Sequence, residues 1–140
     1  METIIYPRSP RETMCGWVYL PRFIDKIRLH LAGKLHSDYR ENFTKGFDGA
    51  WCQAAGVSPQ AFIEVVKNTI TDGQVADWVA KNVKKSEADK LAFRAFVLKR
   101  GQESEEMRAR LQMRKKEAGL ADRADIQTFV DFIDADEKRL

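Results

Sequence analysis

Arg22, Lys26 and His30 follow one another at a spacing of four, with Asp25 beside them. On a helix this spacing puts the three basic groups on one side, where they can receive an anion together while Asp25 orients them. The same residues also suit a structural role, an ion-pair cluster joining Asp25 to Arg22 or Arg28, and that reading is favoured because structural networks perturb charges as readily as active sites do. Asp48 can act as a general acid or base if it is buried, although an acid at the start of a helix more often serves the helix dipole. His30, His36 and Asp38 can approach one another across a turn at Gly33, but nothing in their spacing fixes a ligand geometry, and neither metal nor cofactor is expected.

Other chemistries find less support. Serine, cysteine and histidine occur in no nucleophile motif, and no glycine-rich phosphate loop is present, which argues against the common hydrolases and nucleotide enzymes. Cys15 and Cys52 lack a second cysteine or a histidine at zinc-site spacing and are taken as reduced. Lys81, Lys84, Lys85 and Lys90 form a basic group near Trp78, but Trp78 belongs to an apolar stripe, and the lysines read as a solvated face.

The elements that must position these residues are helical. Leu20, Phe23, Ile24, Ile27 and Leu31 fall on one arc at about 100° per residue, so the segment carrying the basic row buries one face, starting at Pro21 and stopping near Gly33. Leu29 lies on the opposite side among Arg22, Asp25 and Lys26, which implies that this helix is covered on both sides and its charges are partly desolvated. Ahead of it, residues 1–19 read as an extended or irregular arm anchored by Trp17, Val18 and Tyr19. Residues 34–46 read as a loop with one short turn.

Further helices follow from Phe47 to Ala55, from Ser58-Pro59 with an apolar face of Phe62, Val65, Val66 and Ile70, and from Gly73 to Val83 behind a capping box of Thr71 and Gln74. The next begins after Ser86, with Asp89 in capping position, and is apolar around most of its circumference up to Gly101, so something must cover it. Composition shifts there. Glu105 to Ala118 is mostly charge with a thin stripe of Met107, Leu111 and Ala118, whereas Arg123 to Asp136 has the cleaner face of Ile126, Phe129, Val130 and Ile133. These two are expected to form a hairpin, 104–140, packed on a core domain of residues 1–103.

The 140 residues suffice for one core without disulfide or metal staples. With 44% hydrophobic and 32% charged residues and four prolines, the composition points to a single compact all-α domain of about seven helices with a C-terminal helical hairpin. A net charge of +3 is too small an excess to indicate a nucleic-acid partner. No run approaches the ~18 apolar residues of a membrane span, and the N-terminus has no leader pattern, so no membrane association and a cytoplasmic location are expected.

Ser9-Pro10-Arg11, Gly16, Leu20-Pro21-Arg22, Ile24-Asp25-Lys26, Gly33, Tyr39, Phe47-Asp48, Gly56-Val57, Phe62, Asp72, Val75 and Trp78-Val79 together resemble the bacterial domain-of-unknown-function family 5069 over about residues 5–100. The resemblance implies a small bacterial protein of this type and carries over no reaction. The chain departs from that pattern at Leu29 and lacks a Cys-Pro pair ahead of Asp48, so no cysteine chemistry is implied.

Two functional readings stand. The leading one is a non-catalytic binding or assembly module that can self-associate; the alternative is a small enzyme or sensor that takes an anionic metabolite beside the first helix, at Arg22, Asp25, Lys26, His30 and Asp48. A pocket beside that helix would favour the second reading, and a packed surface the first.

Overall fold

A computed structural model describes residues 4–140. After an extended arm, β1 (Thr13–Met14) and β2 (Trp17–Val18) form a small antiparallel hairpin pairing Thr13 with Val18 and Met14 with Trp17. Cys15 and Gly16 make its turn, both with positive φ (54° and 80°), the pattern that matches the twist of a two-residue hairpin. The hairpin is an addition to the expected arm. It drives Trp17, Val18 and Tyr19 into the core.

Eight helices follow among the described residues, where the sequence suggests about seven: α1 (Leu20–Leu31), α2 (Ser37–Arg40), α3 (Gly46–Ala55), α4 (Pro59–Lys67), α5 (Asp72–Asn82), α6 (Glu87–Lys99), α7 (Glu105–Glu117) and α8 (Phe129–Asp136). The extra one is α2, the short turn within 34–46. Local chemistry sets most boundaries. Pro21 sits in the first turn of α1, Thr71 and Gln74 close a capping box on α5, and Ser86 and Asp89 close another on α6.

Boundaries and faces differ from the sequence reading at several places. The α4 helix stops at Lys67, capped at Asn68, so Ile70 lies beyond it and is 86% exposed rather than on an apolar face. At the end of α1, Leu31 is also largely exposed. The last helix starts at Phe129 rather than near Arg123, because the Thr128 side chain accepts from the Asp131 N–H and fixes the helix start there. In the segment before it, carbonyls of Arg123 and Ile126 accept from the Lys115 ammonium at 2.7 and 3.2 Å, which satisfies them without helical bonds. Lys115 thereby takes the buried place that the sequence assigns to Ala118, which is exposed.

The main core gathers Trp17, Leu20, Phe23, Ile24, Ile27, Trp51, Phe62, Val75 and Val97. Edge-on contacts of Trp17 with Trp51 and Phe93, and stacking of Phe23 on Phe62, knit β2, α1, α3, α4 and α6 together. Trp78 is half-buried against Phe62. One side of α6 meets α8, whose Val130 enters the main core, but only Phe93 and Val97 of α6 are buried and Leu91 (60%) and Phe96 (41%) are exposed, so the expected burial around most of its circumference is not found. A smaller cluster of Leu111, Ile126, Phe132 and Ala135 binds α7 to α8.

Candidate functional site

The basic row of α1 divides into two faces. Arg22 and Lys26 are buried on the side that meets α3 and α8, whereas Asp25 and Arg28 are half-buried on the side covered by the N-terminal arm and α5, with Leu29 half-buried near them. His30, at the exposed end, lies against the Phe43 ring at 4.7 Å and takes no part with the other two.

Asp25 pairs with neither Arg22 nor Arg28. Its carboxylate accepts from the Arg8 backbone N–H at 2.8 Å and from the Arg8 guanidinium at 2.9 Å through both oxygens. Arg8 also donates to Asp72 at 2.8 Å, and Arg28 reaches the other oxygen of Asp72 at 2.6 Å. Burial works to raise the Asp72 pKa, but the hydrogen bonds from Arg8 and Arg28 hold it below the usual carboxylate range. This cluster fastens the arm to α1 and α5.

On the other face, Lys26 meets Asp48. The ammonium lies 2.9 Å from Asp48 Oδ2, and the Tyr19 hydroxyl donates to Oδ1 at 2.5 Å. Asp48 stands in the first turn of α3, accepts from the Thr44 N–H at 3.0 Å and is fully buried, so the helix-dipole position and the buried carboxylate are one and the same. Tyr19 is held in the left-handed region at φ 77°, an unfavourable backbone for a bulky residue, and that conformation immediately precedes the first turn of α1. Burial, reinforced by Asp48, pushes the Tyr19 hydroxyl well above its ordinary pKa and keeps it a proton donor. Burial pushes the Lys26 ammonium down; Asp48 opposes this and Arg22 adds to it.

One turn earlier, Arg22 grips Glu137 through two parallel bonds of 2.8 and 2.6 Å and donates to the Arg8 carbonyl at 3.1 Å. The Tyr39 hydroxyl donates to the same Glu137 at 2.7 Å, and Arg139 completes the group with bonds to Glu137 and the Pro7 carbonyl. Burial tends to raise the Glu137 pKa, but the Arg22, Tyr39 and Arg139 contacts hold it below the ordinary value.

Both networks open on one cleft of about 1070 Å³ between α1, α2, α3 and the α6 to α8 helices. Its floor is Tyr19, Arg22, Lys26, Tyr39 and Glu137; Phe47, Phe96, Phe129 and Phe132 with Met107 and Met113 supply apolar wall, and Lys45, Arg100, Arg110 and Arg114 stand with Asp38, Glu41, Glu117 and Asp136 around them. Among the described residues Lys26 spends one contact, on Asp48, and an ammonium carries three donors, so N–H groups remain for an acceptor in the cleft. Of the residues the sequence singles out, the structure thus brings together Arg22, Lys26 and Asp48 and leaves Asp25 and His30 outside.

Tyr19, Tyr39 and Glu137 are the partners that sequence reasoning misses. Tyr19 hides in an apolar string, and nothing in the sequence links Glu137 to Arg22 across 115 positions. His36 Nδ1 accepts from the Asp38 N–H at 3.2 Å, and no group of three or more His, Cys, Asp or Glu among the described residues is placed to hold a metal ion. No helix among them is long and apolar enough to cross a membrane.

In comparisons with known proteins, residues 4–139 match the family described as Domain of unknown function (DUF5069). The match runs through α7 and α8, well beyond the stretch of resemblance noted in the sequence. No curated protein matches the chain.

Proposed function

We propose that this chain, which belongs to the Domain of unknown function (DUF5069) family, is a ligand-binding protein whose cleft beside α1 takes a small anionic molecule. The observation that carries the reading is Lys26: it is 5% exposed, lines the cleft, and among the described residues has one acceptor for its three donors. A buried ion pair adds little stability over an apolar replacement, so two of them side by side beneath an open cleft are better explained by recognition than by stability.

The aromatic and methionine wall suits the body of the ligand, and the floor its anionic group. Two of the large apolar side chains left exposed, Phe96 and Met113, belong to this wall, and the others, among them Ile70 and Leu91, do not line it. That distribution favours a ligand over an assembly surface.

The test is a thermal-shift screen of small carboxylates and phosphates, with native mass spectrometry of the freshly purified chain. At least one anion should raise the melting temperature, and Lys26→Gln should abolish that rise measured from its own baseline. A ligand-free mass together with no shift from any anion overturns the reading.

A further inference from the structure

We propose that Lys26 is a nucleophile, whose ε-amine forms an imine with the carbonyl carbon of a small anionic aldehyde or ketone held in the cleft. The proposal rests on the ligand-binding reading above and adds a covalent step to it.

Lys26 and Lys115 are both buried lysines, and they differ in what surrounds them. Lys115 gives its protons to two backbone carbonyls, those of Arg123 and Ile126, and lies outside the cleft wall, which is a structural use. Lys26 instead faces the cleft, with a single carboxylate contact among the described residues. An amine attacks only after losing its proton. Burial favours that loss and Arg22, one turn earlier on α1, adds to it, whereas the Asp48 charge opposes it. Asp48 Oδ2, 2.9 Å away, is nonetheless in place to accept the proton in the step itself.

The steps balance without an oxidant or reductant. The Lys26 ammonium passes a proton to Asp48, and the freed electron pair on Nζ forms a bond to the carbonyl carbon while the C=O π pair moves to oxygen. That oxygen takes one proton from nitrogen, giving a neutral carbinolamine. Asp48 then returns its proton to the hydroxyl, the C–O bond breaks, water leaves, and the nitrogen lone pair closes the C=N bond. Ammonium and carbonyl become iminium and water, with the positive charge again beside the Asp48 carboxylate. Tyr19 acts as a positioning residue: its hydroxyl donates to Oδ1 and leaves Oδ2 directed at Lys26. Charged groups around the amine come from three elements, Arg22 on α1, Asp48 on α3 and Glu137 following α8.

Glyoxylate and cyanoborohydride provide the test, applied to the full chain at neutral pH and limiting aldehyde, with reduced adducts located by peptide mass mapping. Lys26 should be modified ahead of the exposed lysines, including Lys45 at the cleft rim, by about tenfold for each pKa unit by which its amine is the more readily deprotonated. Its modification should persist to lower pH than theirs. Lys26→Arg, which keeps the charge beside Asp48, should remove this one adduct and leave the rest unchanged. Glycolate, the same anion without a carbonyl, should protect Lys26 by competition. Modification of Lys26 no faster than that of Lys45 overturns the proposal. If glycolate nonetheless stabilises the chain through the cleft, the binding reading stands without the covalent step; if glycolate and every other anion fail to do so, both fall.

Discussion

Arg22 in the first helix and Glu137 just past the last clasp each other through two hydrogen bonds of 2.8 and 2.6 Å, and both are almost wholly buried. The pair closes the chain on itself and forms part of the cleft floor. Breaking one partner of a buried pair strands the other, so Glu137→Gln should cost about 3–5 kcal/mol, a large share of what a domain of this size possesses. Chemical denaturation of the two proteins measures it, and a loss below about 1 kcal/mol would mean that the guanidinium finds water in its place.

Acid should unfold the protein through the same group. Glu137, Asp72 and Asp131 all have folded pKa values below their ordinary ones: burial opposes this in each, but Arg22 holds Glu137, Arg8 and Arg28 hold Asp72, and the Gln127 N–H and Arg11 hold Asp131. A carboxylate depressed in the folded state contributes stability that is present above its unfolded pKa and lost as pH falls through the folded value. Melting temperature should therefore be level above about pH 5 and fall below about pH 4. Asp136, raised by burial and by its acidic neighbours, runs the other way and blunts the fall. Calorimetry across pH should show a shallower acid slope in Glu137→Gln than in the parent.

What the sequence made legible was local. Thr71 with Gln74 and Ser86 with Asp89 announce helix starts because a capping box needs residues only three apart, and the arc of Phe23, Ile24 and Ile27 shows its buried face through the helical repeat. The covering of the back of α1 could be inferred from Leu29, but not what covers it. Helical spacing points Asp25 to Arg22 or Arg28, its neighbours on α1, whereas its partner, Arg8, comes from an arm with no periodicity to read. The apolar repeat places the start of α8 too early for a similar reason: Ile126 continues the repeat, yet it packs from an irregular turn whose carbonyls Lys115 satisfies.

Asp25→Asn separates the two faces of α1. Asp25 is partly open to water, its side chain 24% exposed, and it compensates the half-buried Arg8. Its loss should cost about 1–2 kcal/mol, more than an exposed pair and less than a buried one. Because Asp25 faces away from the cleft, the stabilisation by anions should be the same in Asp25→Asn and the parent, each measured from its own melting temperature. An abolished ligand shift would place the binding site on the Arg8 side and remove the cleft from consideration.

Truncation after Gly101 tests whether α7 and α8 belong to the folded unit. The cut removes Val130 from the main core, Glu137 from Arg22, and the acidic partners of Arg11, Asp131 and Asp134. It also takes away the cleft wall made by Met107, Met113, Phe129 and Phe132. What remains has a buried guanidinium without its carboxylate and the α8 face of α6 bared to water, so the shortened chain should lose cooperative unfolding, associate at micromolar concentration and show no ligand shift. Size-exclusion chromatography with light scattering and a thermal melt measure all but the last directly. A monomer melting at the temperature of the full chain would mean that the arm and α1 hold the core alone and that the hairpin is an appendage; the cleft, which needs both, could then not be the binding site.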